Sequence, residues 1–342
     1  MRILLPYNTN LGEFNTEIIR GGIEKFCNQI VQTFNDVHIL NIDNNNPIKE
    51  NTTKIKDYAK KINADIIISN WGTASFAGAK IVDSEIPIMF ISHGCIPFGS
   101  VLSTISRLRE KSHAVYMVSK WQNNWYRQMS KRMGHPDEIK VDGYINSGYV
   151  QGKKPKLLPI EYDCCTIGRC EPVDKKPFLL KEWLQKWDYN TIVLTNTPTD
   201  KRGIKYLNRN SHWSGVLFDL KYQDVMKELS KSKYYFATMY IETWGITVLE
   251  SLAHGVPVIL RSKDGTHAAI DVCSDEKHYK LVSNNIELSE AIKSSHNLDR
   301  KEIQDMTWDK HSYDKWKSHF ENCIDKTIEN FKKRYPIKKY MS

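Results

Sequence analysis

Two glutamates, Glu242 and Glu250, stand eight residues apart in a segment whose residue types suit a phosphorylated ligand. The apolar run at 234–239 before them has the length and aromatic content of a buried strand. The amphipathic pattern after them stops at Gly255 and Pro257. The segment is therefore predicted to run strand, loop, helix, strand, with one carboxylate in the loop and the other on the helix.

The predicted helix entrance in this segment offers backbone N–H groups and the positive end of the helix dipole, which attract phosphate. Gly245 lets the backbone approach a ligand closely, and Thr247 adds a hydroxyl donor. Glu242 and Glu250 can accept hydrogen bonds from sugar or ribose hydroxyls. An ordinary amphipathic helix with solvated glutamates is the simpler explanation of either carboxylate alone, whereas the whole block favours ligand binding.

This block resembles the donor-binding motif of retaining GT-B glycosyltransferases, specifically of glycosyltransferase family 4. The likeness rests on Glu-x7-Glu with an internal aromatic-Gly pair, and on the Ala-x-Gly-x-Pro-Val that starts at Ala253. The resemblance implies that the block binds a nucleotide-sugar donor in the second of two domains. The residues of this block that it assigns to the donor are Thr243, Trp244, Gly245, Ile246, Thr247 and Glu250.

Cationic residues follow another strand-like run, at 163–167. Arg169 and a following lysine resemble the family's Gly-Arg-x-x-Pro-x-Lys segment, in which the two cations neutralise the donor diphosphate. A leaving nucleotide departs with additional negative charge, which paired cations stabilise as it develops. The lysine is offset by one residue from the family pattern, so Lys175 is our first choice and Lys176 the alternative.

Two strand-end loops in the first half carry further candidate groups. Gly21 and Gly22 open a predicted helix, where their backbone can face an anion or a sugar. A bare Gly-Gly is usually a turn, but this pair resembles the family's Gly-Gly-x-Glu, which lies against the donor diphosphate. His93 follows the strand-like run at 86–91. A lone histidine there is more often structural, yet the family places one beside the transferred sugar.

Strand-like and helix-like segments alternate through the first half, which predicts an α/β fold with a parallel, doubly wound sheet. The resemblance implies the GT-B fold: two Rossmann-like doubly wound domains facing an interdomain cleft, with a C-terminal helix crossing back to the first domain. The expected strands of the first half are 2–6, 37–42, 64–69, 86–92 and 114–118, and the expected helices lie near 21–34, 51–62, 73–83, 100–111 and 120–133.

The length of 342 residues favours two domains, and the irregular, Gly-rich stretch at 140–158 is the best candidate for the linker. We expect an acceptor-binding domain at 1–155, joined by a returning helix at about 320–342, and a donor domain at 156–319. Within the second half we expect strands at 190–196 and 257–261, a basic loop at 197–209, helices at 177–187, 222–232 and 286–294, and a helical pattern over 308–334.

The net charge of +9 admits a nucleic acid, an anionic membrane surface or a small polyanion as partner, and lysines on solvated helix faces explain it equally well. In 120–133 basic residues alternate with aromatic ones, which suits a nucleic acid, but an amphipathic helix with Trp121 and Trp125 in the core fits as well. The candidate DNA-contacting residues are Arg107, Arg109, Lys120, Arg127, Lys131, Arg132, Lys201 and Arg202.

Several functional classes are disfavoured by what the sequence lacks. No apolar run approaches the roughly 20 residues that a membrane span needs. The seven cysteines form neither a C-x-x-C motif nor an evident disulfide framework, so we expect a reducing, cytoplasmic location, in the host if the protein is phage-encoded. The chain has no Asp-x-Asp, and we expect neither a required metal nor a cofactor.

The resemblance also implies a mechanism, in which the leaving phosphate deprotonates the acceptor hydroxyl on the same face of the sugar. The protein then acts by positioning and charge stabilisation. Under this scheme the catalytic residues are His93 and Glu242, which hold sugar hydroxyls, and Arg169 and Lys175, which with the amides near Gly245 bind the diphosphate. Glu250 would bind the ribose.

The acceptor is left open by the sequence. A short, basic, Lys/Asn-rich chain resembles phage enzymes that glycosylate modified bases, such as 5-hydroxymethylcytosine, in duplex DNA. A cell-surface glycan or a lipid-linked sugar is the alternative acceptor, and a non-catalytic nucleic-acid-binding protein on a GT-B scaffold is a third hypothesis. UDP-glucose or a UDP-pentose is the expected donor, and we expect a monomer.

Overall fold

The structure is a computed structural model that describes most of the chain. The described residues are 1–8, 22–43, 45–70, 84–93, 113–132, 141–146, 148–170, 176–239, 242–262, 268–294 and 298–334. The predicted helices at 73–83 and 100–111 lie outside these ranges. The chain divides into two units, one formed by Met1–Gly148 with Asp314–Ser342 and the other by Tyr149–Tyr313.

The first unit is built on a parallel six-stranded sheet in the order β2-β1-β3-β4-β5-β6. Its strands are β1 (Ile3–Asn8), β2 (Val37–Ile42), β3 (Ile66–Asn70), β4 (Ile88–Ser92), β5 (Ala114–Met117) and β6 (Gly143–Tyr144), and its described helices before the second unit are α1 (Gly22–Thr33), α2 (Ile48–Lys61) and α3 (Lys120–Arg132). β3, β4 and β5 are buried along their whole length, as the apolar runs that make up most of each strand predict for inner strands.

The second unit carries another parallel six-stranded sheet, in the order β12-β11-β10-β7-β8-β9. Its strands are β7 (Cys164–Ile167), β8 (Thr191–Thr195), β9 (Val216–Phe218), β10 (Tyr235–Ala237), β11 (Val258–Arg261) and β12 (Tyr279–Val282). Its helices are α4 (Leu179–Leu184), α5 (Lys201–Asn210), α6 (Tyr222–Ser230), α7 (Ile246–Ala253), α8 (Asn285–Lys293) and α9 (Arg300–Lys310). Two parallel sheets with interleaved helices confirm the predicted α/β fold class.

Each unit has its own apolar core. In the first, Leu4, Ile67 and Phe90 lie in one buried cluster beneath the sheet. In the second, Phe236 and Ile259 are buried together on one face of the sheet. Each core therefore fixes the carboxyl ends of its own parallel strands, which is where ligands bind in open α/β sheets.

A final helix, α10 (Tyr313–Arg334), completes the first unit. Its buried residues follow a helical stripe and include Trp316, Phe320 and Phe331. The indole of Trp316 donates to the carbonyl of Asn146 at 2.9 Å. The phenol of Tyr116 in β5 donates to the carbonyl of Cys323 at 3.3 Å.

Two predictions about the second half were wrong in detail, and three short strands of the chain were not predicted. The basic segment expected as a loop at 197–209 contains helix α5, whose N-cap Asp200 accepts a hydrogen bond from the amide of Gly203 at 2.6 Å. The helical pattern over 308–334 is interrupted at His311, whose ring lies 2.7 Å from the carbonyl of Val272. The short strands β9 and β12 were missed, as was β6 inside the expected linker.

No helix among the described residues is long and apolar enough to cross a membrane.

Candidate active site

Adjacent parallel strands bring the main candidate residues of the second unit to one sheet edge. β7 and β10 pair in parallel, so the residues that follow their carboxyl ends lie at the same edge. Arg169 follows β7, and Glu242 follows β10. The hydroxyl of Thr166 donates to the carbonyl of Phe236 at 2.9 Å, which joins the two strand ends.

Helix α7 begins at this edge with a glycine that no other residue replaces easily. Gly245 is its N-cap and has φ 88° and ψ 67°, in the left-handed region. A Cβ at this position would lie 3.0 Å from the Cβ of Ala269 and 3.2 Å from Cγ2 of Val248. Because residue 245 is a glycine, Ala269 and Val248 can lie close to the start of α7. The first backbone amides of α7, including those of Ile246 and Thr247, form a site suited to an anion.

Two carboxylates and two phenols surround this helix entrance. Glu242 and Glu250 are both partly buried. The phenol of Tyr222, at the start of α6, donates to Oε1 of Glu250 at 2.8 Å. Tyr235 in β10 is buried and hydrogen-bonds to Thr247. Burial chiefly raises the pKa of Tyr235 well above its usual value, and the nearby Cys165, Glu242 and Glu250 add to the effect.

The structure therefore brings both glutamates of the Glu-x7-Glu motif close to one phenol. Since the pKa of Tyr235 is raised, it stays protonated and can only donate or accept as a neutral hydroxyl. A polar, partly closed lining of two carboxylates and hydroxyls suits the hydroxyl groups of a sugar or a ribose. Thr243 is partly buried beside this lining.

Arg169 is exposed at the end of β7, so its guanidinium is accessible to an anion. The amide of the next residue, Cys170, donates to Oδ1 of Asn196 at 3.0 Å and anchors the loop to the end of β8. Lys175 lies outside the described residues. The alternative, Lys176, is exposed and has φ 39°, a left-handed conformation that is uncommon outside glycine.

Trp244 lies in the core rather than on the surface. It is 2% exposed, and its ring meets that of His311 edge to face at a centroid distance of 5.6 Å. Its indole N–H has no hydrogen-bond partner among the described residues. The side chain thus anchors the loop before α7 by packing, while its assignment to donor binding stays a prediction.

In the first unit, His93 follows β4 and is partly buried. Its Nε2 lies 3.1 Å from Oδ1 of Asn70, at the end of β3. The ring of Phe26 in α1 meets the imidazole edge to face at 4.9 Å. Burial lowers the pKa of His93 to about 3, so the ring is neutral at physiological pH. Gly22 is the first residue of α1, and Gly21 lies outside the described residues.

The residues predicted to contact DNA are only partly described. Lys120, Lys201 and Arg202 are exposed, the first on α3 and the others in the first turn of α5. The side chains of Arg127, Lys131 and Arg132 and the whole of Arg107 and Arg109 lie outside the described part.

The tryptophans of α3 favour the structural alternative over base stacking. Trp125 packs against the core of the first unit, and Trp121 stacks on Trp125 with ring centroids 6.2 Å apart. Both side chains are partly buried. The two tryptophans of this helix therefore contact each other, and Trp125 also contacts the core of the first unit.

Sequence reasoning missed three residues of these sites: Asn70, Tyr222 and Tyr235. Tyr222 precedes Glu250 by 28 positions, so no local spacing could link the two. The sequence assigns Tyr235 only to an apolar strand. Successive side chains of a strand point to opposite faces, so Tyr235 lies on the face opposite to the core residues Tyr234 and Phe236.

No group of three or more His, Cys, Asp or Glu residues that could hold a metal ion occurs in the described ranges. The six cysteines within these ranges are free thiols.

Comparison with protein families gives a match within the second unit. Residues 204–305, which include the whole Glu-x7-Glu block, match the family described as "Glycosyl transferases group 1". Among curated proteins no sequence match was found.

Solved structures resemble nearly the whole chain at low sequence identity. Sucrose-phosphate synthase from Thermosynechococcus elongatus is 12% identical, with a TM-score of 0.69, over 96% of this chain and 99% of its own. Anabaena HepE, in complex with UDP and glucose, is 13% identical, with a TM-score of 0.67, over 95% and 100%. The lipopolysaccharide outer core galactosyltransferase WaaB is 14% identical, with a TM-score of 0.63, over 95% and 99%.

At these identities the solved structures show the fold alone. The family match and the fold, taken together, support a GT-B glycosyltransferase of the group 1 type.

Proposed function

We propose that the protein is a retaining glycosyltransferase that moves a sugar from a nucleotide-sugar to a hydroxyl acceptor. The observation that carries the proposal is the edge of the second sheet, where Arg169, the entrance of α7 and both glutamates follow two paired strands. This edge combines cations and helix amides for a diphosphate with carboxylates for sugar hydroxyls.

The proposed donor is a UDP-sugar. Its diphosphate would bind the amides at Gly245–Thr247 and the guanidinium of Arg169, assisted by Lys175 or Lys176. Glu250 would accept hydrogen bonds from the ribose, and Tyr222 would hold this carboxylate in place. The likeness of the chain to HepE, a protein solved with UDP and glucose, supports uridine and a hexose, and a UDP-pentose is the alternative.

In the proposed reaction the bond between the anomeric carbon and the donor phosphate breaks as the acceptor oxygen attacks from the same face. The acceptor proton passes to the departing phosphate, and the cations stabilise the charge that develops on it. Glu242 and His93 would hold the hydroxyls of the transferred sugar, which fixes its orientation. No metal and no cofactor take part in this scheme.

For the acceptor we propose the 5-hydroxymethylcytosine of duplex DNA. The net charge of +9 supports a polyanionic acceptor, as do the exposed Lys120, Lys201 and Arg202. Trp125 packs against the core and Trp121 stacks on Trp125, so the tryptophans of α3 provide no separate argument for base stacking. A cell-surface or lipid-linked glycan is the second candidate, and the likeness to WaaB favours it.

Labelled donors distinguish the acceptors directly. The protein would be incubated with radiolabelled UDP-glucose or UDP-arabinose and with hydroxymethylated, methylated or unmodified duplex DNA. Label on the hydroxymethylated duplex alone supports the DNA acceptor. Donor hydrolysis without labelled DNA would favour the glycan, and binding of DNA without any donor turnover would indicate a non-catalytic protein.

A further inference from the structure

Three side chains on one face of α9 donate hydrogen bonds to the end of α7, the helix that carries Glu250. Arg300, Gln304 and Trp308 follow one another at intervals of four residues, so they lie on one stripe of α9. Apolar packing alone tolerates some sliding of one helix along another. Hydrogen bonds are directional, so this row of donors fixes where α7 lies along α9.

The hydrogen bonds end on carbonyls at and just beyond the last residue of α7. The indole of Trp308 and the carboxamide of Gln304 donate to the carbonyl of Ala253 at 3.0 and 3.2 Å. The guanidinium of Arg300 donates to the carbonyl of Gly255 at 3.1 Å. The last carbonyls of a helix have no donor within the helix itself. Here a second helix supplies the donors.

The two shorter donors are themselves held by second partners. Arg300 donates to the carbonyl of Leu158 at 2.8 Å, and Gln304 donates to the carbonyl of Pro155 at 3.0 Å. Both carbonyls lie in the segment before β7. A side chain that is bonded to two separate segments cannot turn away from one without strain on the other, so both donors are preorganised toward α7.

Arg300 also joins α7 to α6. It donates to the carbonyl of Ser230, the last residue of α6, at 2.6 Å. The same two helices meet again where Tyr222, the first residue of α6, donates to Glu250 at 2.8 Å. Because Arg300 fixes the ends of both helices, it also fixes the register in which Tyr222 reaches Glu250.

α7 is short enough to depend on this attachment. It has eight residues, and a helix of that length is marginal by itself. Its N-cap is Gly245, which has no side chain to cap the first turn. At the other end a Cβ on Gly255 would overlap the carbonyl oxygen of Arg300, so α9 lies directly against the chain there. The end of α7 is therefore held by α9, while its entrance stays available to a ligand.

We propose that Arg300 and Gln304 are positioning residues that set the place of Glu250 in the donor site by holding the end of α7. The inference deepens the proposed function and rests on it for the identity of the ligand. Glu250 lies within one turn of Ala253, so a displacement of the helix end moves its carboxylate as well. A misplacement of about 1 Å is enough to lose much of the benefit of a positioned group.

Loss of the attachment should weaken binding of the nucleotide-sugar more than it slows the chemical step. Glu250 is assigned to the ribose, which is remote from the bond that breaks, so its contribution is similar before and during the reaction. For Arg300→Lys and for Gln304→Met we expect the KM for the nucleotide-sugar to rise about fivefold, while kcat falls less than about twofold. The lysine keeps the charge without the planar fork, and the methionine keeps the length without the amide.

Lys280 is the matched control, because it is a cation that holds the end of a helix with no assigned role. Its ammonium donates to the carbonyl of Ala291, in the last turn of α8, at 3.3 Å. Lys280→Met should leave the KM unchanged even where it lowers the Tm as much as Arg300→Lys does. An equal rise of the KM in Lys280→Met would show that the KM follows stability in general, which would overturn the proposal.

A double-mutant cycle tests whether Arg300 acts through Glu250. In a Glu250→Ala background the carboxylate is absent, so Arg300→Lys should raise the KM only about twofold or less. If the KM rises about fivefold in both backgrounds, Arg300 supports the fold without positioning Glu250, and the proposal is wrong.

Amide hydrogen exchange, followed by mass spectrometry on the full-length protein, tests the attachment without a substrate. Arg300→Lys and Gln304→Met should accelerate exchange in α7 about tenfold and leave α8 unchanged, whereas Lys280→Met should do the reverse. Unchanged exchange in α7 would contradict the inference. If the wild type transfers no sugar, the proposed function fails, while the exchange rates still decide whether α9 holds α7.

Discussion

At the scale of single residues, Glu242 is the most exacting test of the proposed chemistry. It follows β10 and contributes to the raised pKa of Tyr235, so it belongs to the polar lining of the site. We expect Glu242→Ala to abolish sugar transfer while circular dichroism and the Tm stay close to the wild type. Glu276→Ala, an exposed position in the same unit, is the control and should remain active. A fully active Glu242→Ala would exclude the assigned role.

Tyr222 offers a milder test of how Glu250 is positioned. Tyr222→Phe removes the hydrogen bond to Glu250 and leaves the ring in place. A hydrogen bond of this kind contributes about 0.5–1.5 kcal/mol, so the KM for the nucleotide-sugar should rise roughly 2- to 12-fold with little change in kcat. Tyr162→Phe breaks an equivalent bond to Glu228 elsewhere in the unit and should leave the KM unchanged. Equal changes in this KM for the two variants would mean that Tyr222 has no specific role in donor binding.

His93 gives the stability of the first unit a pH dependence. Burial lowers its pKa from 6.5 to about 3, so the unfolded chain takes up this proton at a higher pH than the folded one does. The stability that the neutral ring contributes is therefore lost as the pH falls from about 6.5 towards 3. Between pH 6.5 and about 4, the Tm of the wild type should fall more steeply than that of His93→Asn.

The exposed His212 is a suitable control for this comparison. His212→Asn should follow the wild-type profile. If the His93→Asn profile runs parallel to that of the wild type, the ring is not held neutral by its surroundings.

At the scale of elements, the entrance of α7 depends on one glycine. Gly245→Ala combines a left-handed backbone with a Cβ that crowds Ala269 and Val248, and we expect a loss of about 1–3 kcal/mol in stability. Gly152→Ala is the matched control, since that glycine is also left-handed, at φ 78°, but its Cβ would meet open space. Urea unfolding of both variants should show the larger loss for Gly245→Ala. Equal losses would mean that only the backbone conformation matters.

Elements with strong apolar patterns were predictable from the sequence, and short or exposed ones were not. β4 and β11 are buried throughout and were expected close to their observed positions. β9 is only three residues long and largely exposed at the sheet edge, so it gives almost no periodic signal. The mostly basic outer face of α5 gives a weak apolar pattern and favours a loop, although Asp200 is a recognisable N-cap.

The candidate site was predictable in its local parts and unpredictable in its long-range ones. Glu242, Gly245 and Glu250 were found because they stand within one strand–helix unit. The pairing of Tyr222 with Glu250 and of Asn70 with His93 depends on which elements become neighbours, with separations of 28 and 23 residues. The spacing of residues along the chain does not predict such contacts.

At the scale of the whole molecule, α10 has a consequence for biosynthesis. The ribosome delivers residues in chain order, and the second unit is made before Trp316 and Phe320 emerge to cover Phe26. The first unit therefore cannot complete its aromatic core until α10 has been made, and until then Phe26 lacks the cover of Trp316 and Phe320. The contacts that orient His93 are among the last to form, so a nascent chain lacking α10 would hold this ring without its final aromatic support.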